Sequence, residues 1–116
     1  MTIYTDRLKA HPFERRDYPE LCRLHQDPRV METLGGIRSA EQTRQFLDEK
    51  IAHREKCGFG YWMFRSKEDN RFIGRGGIQH VLVNEKPEIE IGYTVCFDEW
   101  GNGYATEIAH SLVRRC

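Results

Sequence analysis

The sequence of 116 residues lacks an excess of charge of either sign. Its 18 basic residues balance its 18 acidic ones, so it has no one-sign field of the kind that nucleic acid or an anionic membrane surface requires. It has no uncharged stretch near the ~20 residues that span a bilayer, and no basic-then-apolar signal at its N-terminus. We therefore expect a cytoplasmic protein without nucleic-acid or membrane partners.

Cysteine is scarce and scattered. Cys22, Cys57, Cys96 and Cys116 form no C-x-x-C pair and no metal-type spacing with the five histidines. We expect reduced thiols that fill small apolar gaps, and no metal site. The sequence also lacks the G-K-S/T that ends a Walker phosphate loop.

Hydrophobic periodicity predicts one α+β domain over residues 1–116, an antiparallel sheet with flanking helices in the order β-α-α-β-β-β-α. The predicted elements are an edge strand at 7–13, a helix from the Asp17–Glu20 capping pair to Pro28, a helix from the Ser39–Gln42 capping box to Gly58, strands at 60–65, 71–83 and 88–95, and a helix at 103–115. Glycines at 74, 76 and 77 interrupt the second of these strands and predict a bulge or a close backbone approach.

The run Phe97 to Glu107, FDEWGNGYATE, carries the chemistry. A strand ends, and a helix begins among the small residues Gly101, Gly103 and Ala105, where the first unpaired backbone N–H groups point outward. Such a site suits a phosphate or pyrophosphate, because the amides and the helix dipole both favour negative charge. A tight turn with a good helix start is the competing interpretation. A Rossmann fingerprint is excluded, since the third glycine is missing and the strands before it are antiparallel.

The same run is similar to the acetyl-CoA motif of the GNAT superfamily of N-acetyltransferases, Q/R-x-x-G-x-G/A. It resembles more closely the branch of ribosomal-protein N-terminal acetylases, where a tryptophan replaces the first residue. Five further segments occur in family order, so the resemblance covers nearly the whole chain: TDRLKAHPF, DPRVMETLGG, GFGYWMF, FIGRGGIQ and EIEIGYTV.

The resemblance implies acetyl-CoA as cosubstrate and a set of cofactor-binding residues. The pyrophosphate would lie on the backbone of Gly101, Asn102, Gly103, Tyr104, Ala105 and Thr106. Tyr93, Thr94 and Val95 would run beside the pantetheine arm and hydrogen-bond it through their main chain. A bulge near Gly92 would open the strand for the thioester, and a main-chain N–H there would polarise the acetyl carbonyl.

For the acceptor, the resemblance implies that Glu90 takes a proton from the attacking amine through water. Arg29, Met31 and Leu34 would line the acceptor pocket. A solvated face of a half-exposed sheet is the plainer interpretation of Glu90.

The family fold continues into a fifth strand, a fourth helix and a hairpin that this sequence does not contain, so we expect an incomplete domain, truncated after the third helix. No residue is then assigned as the acid that protonates the thiolate. Strand 88–95 would present an edge open to homodimerisation or strand swapping. Two functions stay open: acetyl transfer to a primary amine, either a protein α-amino group or a small amine, and a non-catalytic CoA-binding or interaction module. An unrelated nucleotide-binding protein, in which ATP would compete with CoA, is a third.

Overall fold

Residues 2–115 are described by a computed structural model. Five strands form one antiparallel sheet in chain order, with helices on both faces. The elements are β1 Ile3–Tyr4, β2 Leu8–Pro12, α1 Tyr18–His25, α2 Pro28–Met31, α3 Ala40–Cys57, β3 Tyr61–Ser66, β4 Phe72–Val83, β5 Lys86–Val95 and α4 Tyr104–Val113. The predicted α+β class is confirmed, and β1 and α2 are additions to the predicted order.

The prediction that strand 7–13 lies at the edge of the sheet is wrong, because the N-terminal strand β1 takes the edge position. Ile3 pairs with Ala10 of β2, so β2 lies inside the sheet, between β1 and β3. The side chain of Ile3 is buried in the core. A strand of two residues is too short to give a period in the sequence, which is why only its tertiary contacts reveal it.

The start of α1 differs from the predicted capping pair. The side chain of Asp17 accepts from the backbone N–H of Glu14 at 2.8 Å and caps a short 3₁₀ turn at Arg15–Asp17. Glu20 forms an ion pair with Arg65 of β3 instead. The first helix is therefore fixed by contacts with the sheet as well as by its own cap.

Helix α3 follows its local signals. The Ser39 hydroxyl accepts from the Gln42 N–H at 3.1 Å, and the Gln42 side chain accepts from the Ser39 N–H at 2.8 Å. The helix ends at Cys57 and is capped by Gly58, whose φ of 80° is the left-handed conformation that glycine adopts at least cost. The predicted capping box and C-cap are confirmed.

The sheet buries a core on each face. One cluster joins Trp62 and Phe64 of β3 to Ile108 and Leu112 of α4, and the other joins Met63 to α1 and α3. Fully burying side chains of this size stabilises the fold by roughly 1.5–3 kcal/mol each. Helix α4 lies directly on Gly76, where an added Cβ would come 2.9 Å from the Ile108 Cγ2 atom. The predicted close approach at the β4 glycines thus sets the position of α4.

Strands β4 and β5 pair without interruption from Gly74–Val95 to Val83–Lys86. The predicted bulge near Gly92 is therefore wrong, and the register shift of the sheet lies between β3 and β4, at Phe64 and Arg65. Among residues 2–115, β5 is one of the two edge strands and has no partner on its far side. No helix in this range has the length and apolar character needed to cross a membrane.

Candidate functional site

The turn before α4 presents backbone amides to open space. Gly101 and Gly103 have φ angles of 85° and 79°, and no atom lies within 4 Å of a Cβ built on Gly101. Gly103 is the N-cap and has no side-chain cap. The first N–H groups of α4 have no acceptor within the helix, so they form a concave donor surface at the positive end of the helix dipole.

The side chain of Arg7 fixes this turn. Its Nη1 atom donates to the Asn102 carbonyl at 2.8 Å, its Nε atom donates to Glu107 Oε1 at 2.8 Å, and its guanidinium lies 4.3 Å from the centre of the Tyr104 ring. Burial raises the pKa of Glu107, but hydrogen bonds from Thr5 and Arg7 outweigh it and hold that pKa below its ordinary value. Glu107 therefore anchors the first turn of α4 to the loop after β1.

Trp100 ties the same turn to the end of β5. Its indole N–H donates to the Val95 carbonyl at 2.9 Å, and its ring packs 4.8 Å from that of Phe97. Because Cys96 N–H donates to the Ile73 carbonyl, alternation directs the main chain of Thr94 toward β4 and that of Tyr93 and Val95 toward the open side of β5.

A cavity of about 320 Å³ lies between β5 and the α4 turn. It is lined by Val30, Thr33, Leu34, Tyr93, Thr94, Val95, Glu99, Trp100, Gly101, Gly103, Tyr104 and Ala105. The open main chain of β5 and the amides of α4 therefore face one groove.

A second cavity, of about 640 Å³, lies on the other side of the C-terminal half of β5, below α3. Its polar and charged lining residues are Arg38, Gln42, Gln45, Glu49, Lys50, Tyr61, Arg75, Gln79, Glu90 and Thr94. Leu34, Tyr93 and Thr94 line both cavities. The two cavities therefore adjoin at the end of β5.

Glu90 is part of a polar chain in the second cavity. It accepts from Gln79 Nε2 at 2.7 Å, and Gln79 in turn accepts from the ammonium of Lys50. Burial is the main cause that lowers the pKa of Lys50. The Tyr61 hydroxyl lies against Gly92, 2.8 Å from where a Cβ would stand, and burial raises the pKa of Tyr61. Glycine at 92 thus gives the tyrosine room to reach the cavity.

Arg75 forms the floor of this cavity. It is 5% exposed, its Nε atom donates to His25 Nε2 at 3.0 Å, and its guanidinium lies 4.5 Å from the centre of the Phe46 ring. Burial, followed by the charges of Arg75 and Arg38, lowers the pKa of His25 to about 3. The imidazole is therefore neutral at pH 7, and its Nδ1 atom lies 2.9 Å from the Thr43 hydroxyl.

Comparison with known proteins identifies the family of this chain. A profile of the acetyltransferase (GNAT) domain matches residues 7–116. The chain belongs to the GNAT acetyltransferase family. This GNAT chain is 32% identical over 112 residues to the uncharacterized protein YkkB of Bacillus subtilis (strain 168), and the match covers 96% of the chain and 65% of YkkB.

Solved structures agree with the fold. The crystal structure of the acetyltransferase from Agrobacterium tumefaciens str. C58 is similar with a TM-score of 0.85 and 29% identity, over 98% of this GNAT chain and 65% of that one. RimL, a ribosomal L7/L12 alpha-N-protein acetyltransferase in complex with coenzyme A, matches with a TM-score of 0.71 over 99% of this chain and 67% of its own. At 17% identity this likeness shows the fold alone. The GNAT chain thus spans 65% of the length of YkkB and of the Agrobacterium protein.

Most residues that the sequence predicts for cofactor binding in the GNAT domain lie together. Tyr93, Thr94, Val95, Gly101, Gly103, Tyr104 and Ala105 all line the first cavity. The backbone carbonyl of Asn102 accepts from Arg7, and its side-chain amide donates to the Glu99 carbonyl. Thr106 lies exposed on α4. The phenol ring of Tyr104 packs in the core, so only part of that residue reaches the groove.

The three residues predicted for the acceptor are spread apart. Leu34 lines both cavities. Met31 is fully buried in a small core with Leu24 and Val30. The guanidinium of Arg29 is held by the carboxylate of Asp27 and faces a separate shallow concavity.

Sequence reasoning did not select several residues of the groove. They come from three elements and one loop, and no motif joins them: Lys50 of α3, Tyr61 of β3, Arg75 and Gln79 of β4, and Arg7 of the loop after β1, which holds the α4 turn. The signal available for Arg75 is a charged residue among the glycines of an otherwise apolar strand, a pattern that indicates a buried charge with a specific task.

One group of residues that could hold a metal ion lies outside both cavities, although the spacing of cysteines and histidines predicts no metal site. His53 and Cys57 of α3 and His80 of β4 bring one potential ligand atom each within 4.8 Å of the others. His53 Nδ1 lies 3.0 Å from the Phe59 carbonyl, and its Nε2 accepts from the His80 N–H at 3.2 Å. These hydrogen bonds join α3 to β4 and to the segment before β3. Cys22, Cys57 and Cys96 are free, half-buried thiols, and Cys116 lies outside the described residues.

Proposed function

We propose that this domain transfers the acetyl group of acetyl-CoA to a primary amine. The observation that carries the proposal is the junction of the two cavities at Tyr93 and Thr94. The backbone donor surface opens into the first cavity, and the carboxylate of Glu90 opens into the second. An acyl donor and an acceptor can therefore meet beside β5.

The donor end suits the cosubstrate in charge and shape. The amides that follow Gly101 and Gly103 suit a pyrophosphate, because Gly101 faces open space and the turn lies at a helix N-terminus. The main-chain groups of Tyr93 and the N–H of Val95, which point away from β4, suit the amides of the pantetheine arm, as an added strand would. Bound there, acetyl-CoA supplies an activated acetyl thioester.

Glu90 acts as the general base in this proposal. It takes a proton from the ammonium form of the amine through a bridging water. The neutral nitrogen then bonds to the acetyl carbon, the carbon–sulfur bond breaks, and the nitrogen releases its second proton to solvent. Solvent supplies the proton for the released thiolate. Because Gly92 keeps its main chain paired with β4, the nearest open backbone donor for the acetyl oxygen is the N–H of Tyr93.

The acceptor class follows from the amine chemistry alone. Both a protein α-amino group and a small amine satisfy the proposed reaction. RimL acts on the α-amino group of a ribosomal protein by its name, and its 17% identity leaves that acceptor a hypothesis here. The cytoplasmic location and the single-domain extent of residues 1–116 are further parts of this hypothesis.

Calorimetric titration with acetyl-CoA tests the donor end, with ATP as the matched control. Micromolar binding that ATP does not displace supports the cosubstrate. Release of free thiol in the presence of candidate amines then tests the transfer. Binding without thiol release would favour a CoA-binding scaffold, and displacement by ATP would favour a different nucleotide ligand.

A further inference from the structure

Arg75 is a buried cation with no carboxylate partner among residues 2–115. It is 5% exposed, and no ion pair includes it. Its hydrogen-bonded partner through Nε is His25, which is neutral. A buried guanidinium without a counter-charge is costly, so such groups are normally paired.

The contacts of Arg75 hold its side chain in one place. Because arginine has no lone pair, His25 Nε2 must accept from it, and the proton of the neutral ring lies on Nδ1, facing the Thr43 hydroxyl. The ring of Phe46 covers the guanidinium at 4.5 Å. Arg75 is thus positioned by uncharged neighbours, and its two terminal nitrogens stay available at the cavity floor.

The lining of this cavity carries an excess of positive charge. Arg38 and Lys50 join Arg75 against the carboxylates of Glu49 and Glu90, and Glu90 already accepts from Gln79. Burial lowers the pKa of Arg75 to about 10, which leaves it protonated at pH 7. The cavity therefore holds fixed positive charge that an anionic ligand would neutralise.

We propose that the acceptor amine of this domain also carries a carboxylate, and that Arg75 binds this carboxylate through its terminal nitrogens. This rests on the proposed acetyl transfer and narrows its acceptor to amino acids and related amino carboxylates. The planar guanidinium fork matches a carboxylate with two parallel hydrogen bonds. Glu90, on the same sheet face, serves the amine end of the same molecule.

Matched pairs of acceptors test this directly. Each standard L-amino acid is compared with its own carboxamide in a thiol-release assay with acetyl-CoA. The carboxamide has the less basic amine, so basicity alone would favour it. We expect kcat/KM to be at least tenfold higher for the acid of the preferred pair. Equal rates, or faster transfer to the amide, would overturn the proposal.

Substitution of Arg75 tests whether this residue causes the preference for the acid over the carboxamide. Arg75→Gln should reduce the acid-to-amide ratio to about one, Arg75→Lys should keep part of it, and both should leave acetyl-CoA affinity unchanged. Arg16→Gln, at an exposed arginine outside both cavities, is the control and should keep the full ratio. A ratio unchanged in Arg75→Gln would overturn the assignment.

A binding experiment separates this proposal from the proposed function. N-acetyl amino acids and their amides are titrated into the parent chain by NMR without acetyl-CoA, so no turnover is needed. Chemical-shift changes around the cavity with the acid only, weakened in Arg75→Lys and lost in Arg75→Gln, support the carboxylate site even in a chain that transfers nothing. The same response to acid and amide would refute it.

Discussion

Arg7 and Glu107 are 100 residues apart in sequence, and their side chains meet with Nε 2.8 Å from Oε1. The backbone N–H of Arg7 also donates to the second carboxylate oxygen of Glu107, at 2.9 Å. The same arginine holds the Asn102 carbonyl. The turn that is proposed to bind pyrophosphate therefore has its shape fixed by the loop after β1 as well as by its own glycines.

Removal of this contact should loosen the cosubstrate site. In Glu107→Ala, Arg7 loses its carboxylate and the turn loses its anchor, so we expect acetyl-CoA affinity to fall about three- to tenfold. The free energy of unfolding should fall by about 1.5–3 kcal/mol, the usual size for a hydrogen bond to a charged group. Calorimetry and urea denaturation measure the two effects. Glu55→Ala, at an exposed position on α3, is the control, and an unchanged affinity in Glu107→Ala would contradict the role of the anchor.

Glycine at 103 should be essential for the pyrophosphate site. Gly103→Glu places a negative charge where the pyrophosphate is proposed to bind, and it forces a residue with a side chain into the left-handed region. Acetyl-CoA binding should therefore be lost. Gly58→Glu is a matched control, because Gly58 has nearly the same φ, of 80°, and lies at the end of α3. Both substitutions should cost roughly 1–2 kcal/mol of stability from backbone strain. Loss of binding in both variants alike would show that general destabilisation, rather than charge at the α4 turn, is responsible.

Elements with strong local signals could be predicted from the sequence. The capping box at Ser39, the terminal Gly58 and the alternation in β5 each depend on residues within a few positions of one another. The α4 turn was predicted for the same reason, since its small residues and the helix start are adjacent. Helix α1 begins directly after Asp17, as predicted. Its capping contact differs, because the Asp17 carboxylate accepts from the backbone N–H of Glu14 and makes no cap within α1.

The second cavity could not be predicted because it depends on the register of the sheet. Arg75 pairs with Thr94 and Gln79 pairs with Glu90 across β4 and β5, and neither pairing has a signature in the sequence. The buried contact of Arg75 with His25 joins positions 50 residues apart. The positions of the charged side chains in this cavity are therefore known only from the structure.

The buried His25 should make stability fall as the pH falls. Its pKa in the folded state, about 3, is below the value of 6.5 expected in the unfolded chain, so the unfolded state binds more protons at acidic pH. Stability is fully present above pH 6.5 and is lost progressively toward pH 3, with about 1–2 kcal/mol lost between pH 6.5 and 5. Urea denaturation across this range measures the slope. His25→Gln should flatten it, whereas the exposed His110→Gln should not; an equal slope in all three proteins would contradict the assignment.

The open side of β5 should make the 116-residue chain self-associate. Ile89 is 51% exposed on this outermost strand, and unpaired edges with apolar side chains invite pairing between chains. We expect a concentration-dependent dimer in sedimentation equilibrium, weakened by Ile89→Lys. Val113→Lys replaces a residue of similar exposure, 59%, on α4, and should leave the dimer intact. A monomer at every concentration would remove the prediction.

Glu90 should be needed for transfer and not for cosubstrate binding. Glu90→Gln keeps the shape of the side chain and can still hydrogen-bond Gln79, but an amide cannot take a proton from the amine. We expect kcat/KM at pH 7 to fall by about 100-fold, the lower end of the usual range for a general base, with acetyl-CoA affinity unchanged. Because the base is required only while the amine is protonated, the deficit should shrink as the pH rises toward the pKa of the amine. Thiol-release rates from pH 6 to 10 measure this. A deficit that stays constant across the range would mean that Glu90 binds or positions the acceptor and does not take its proton.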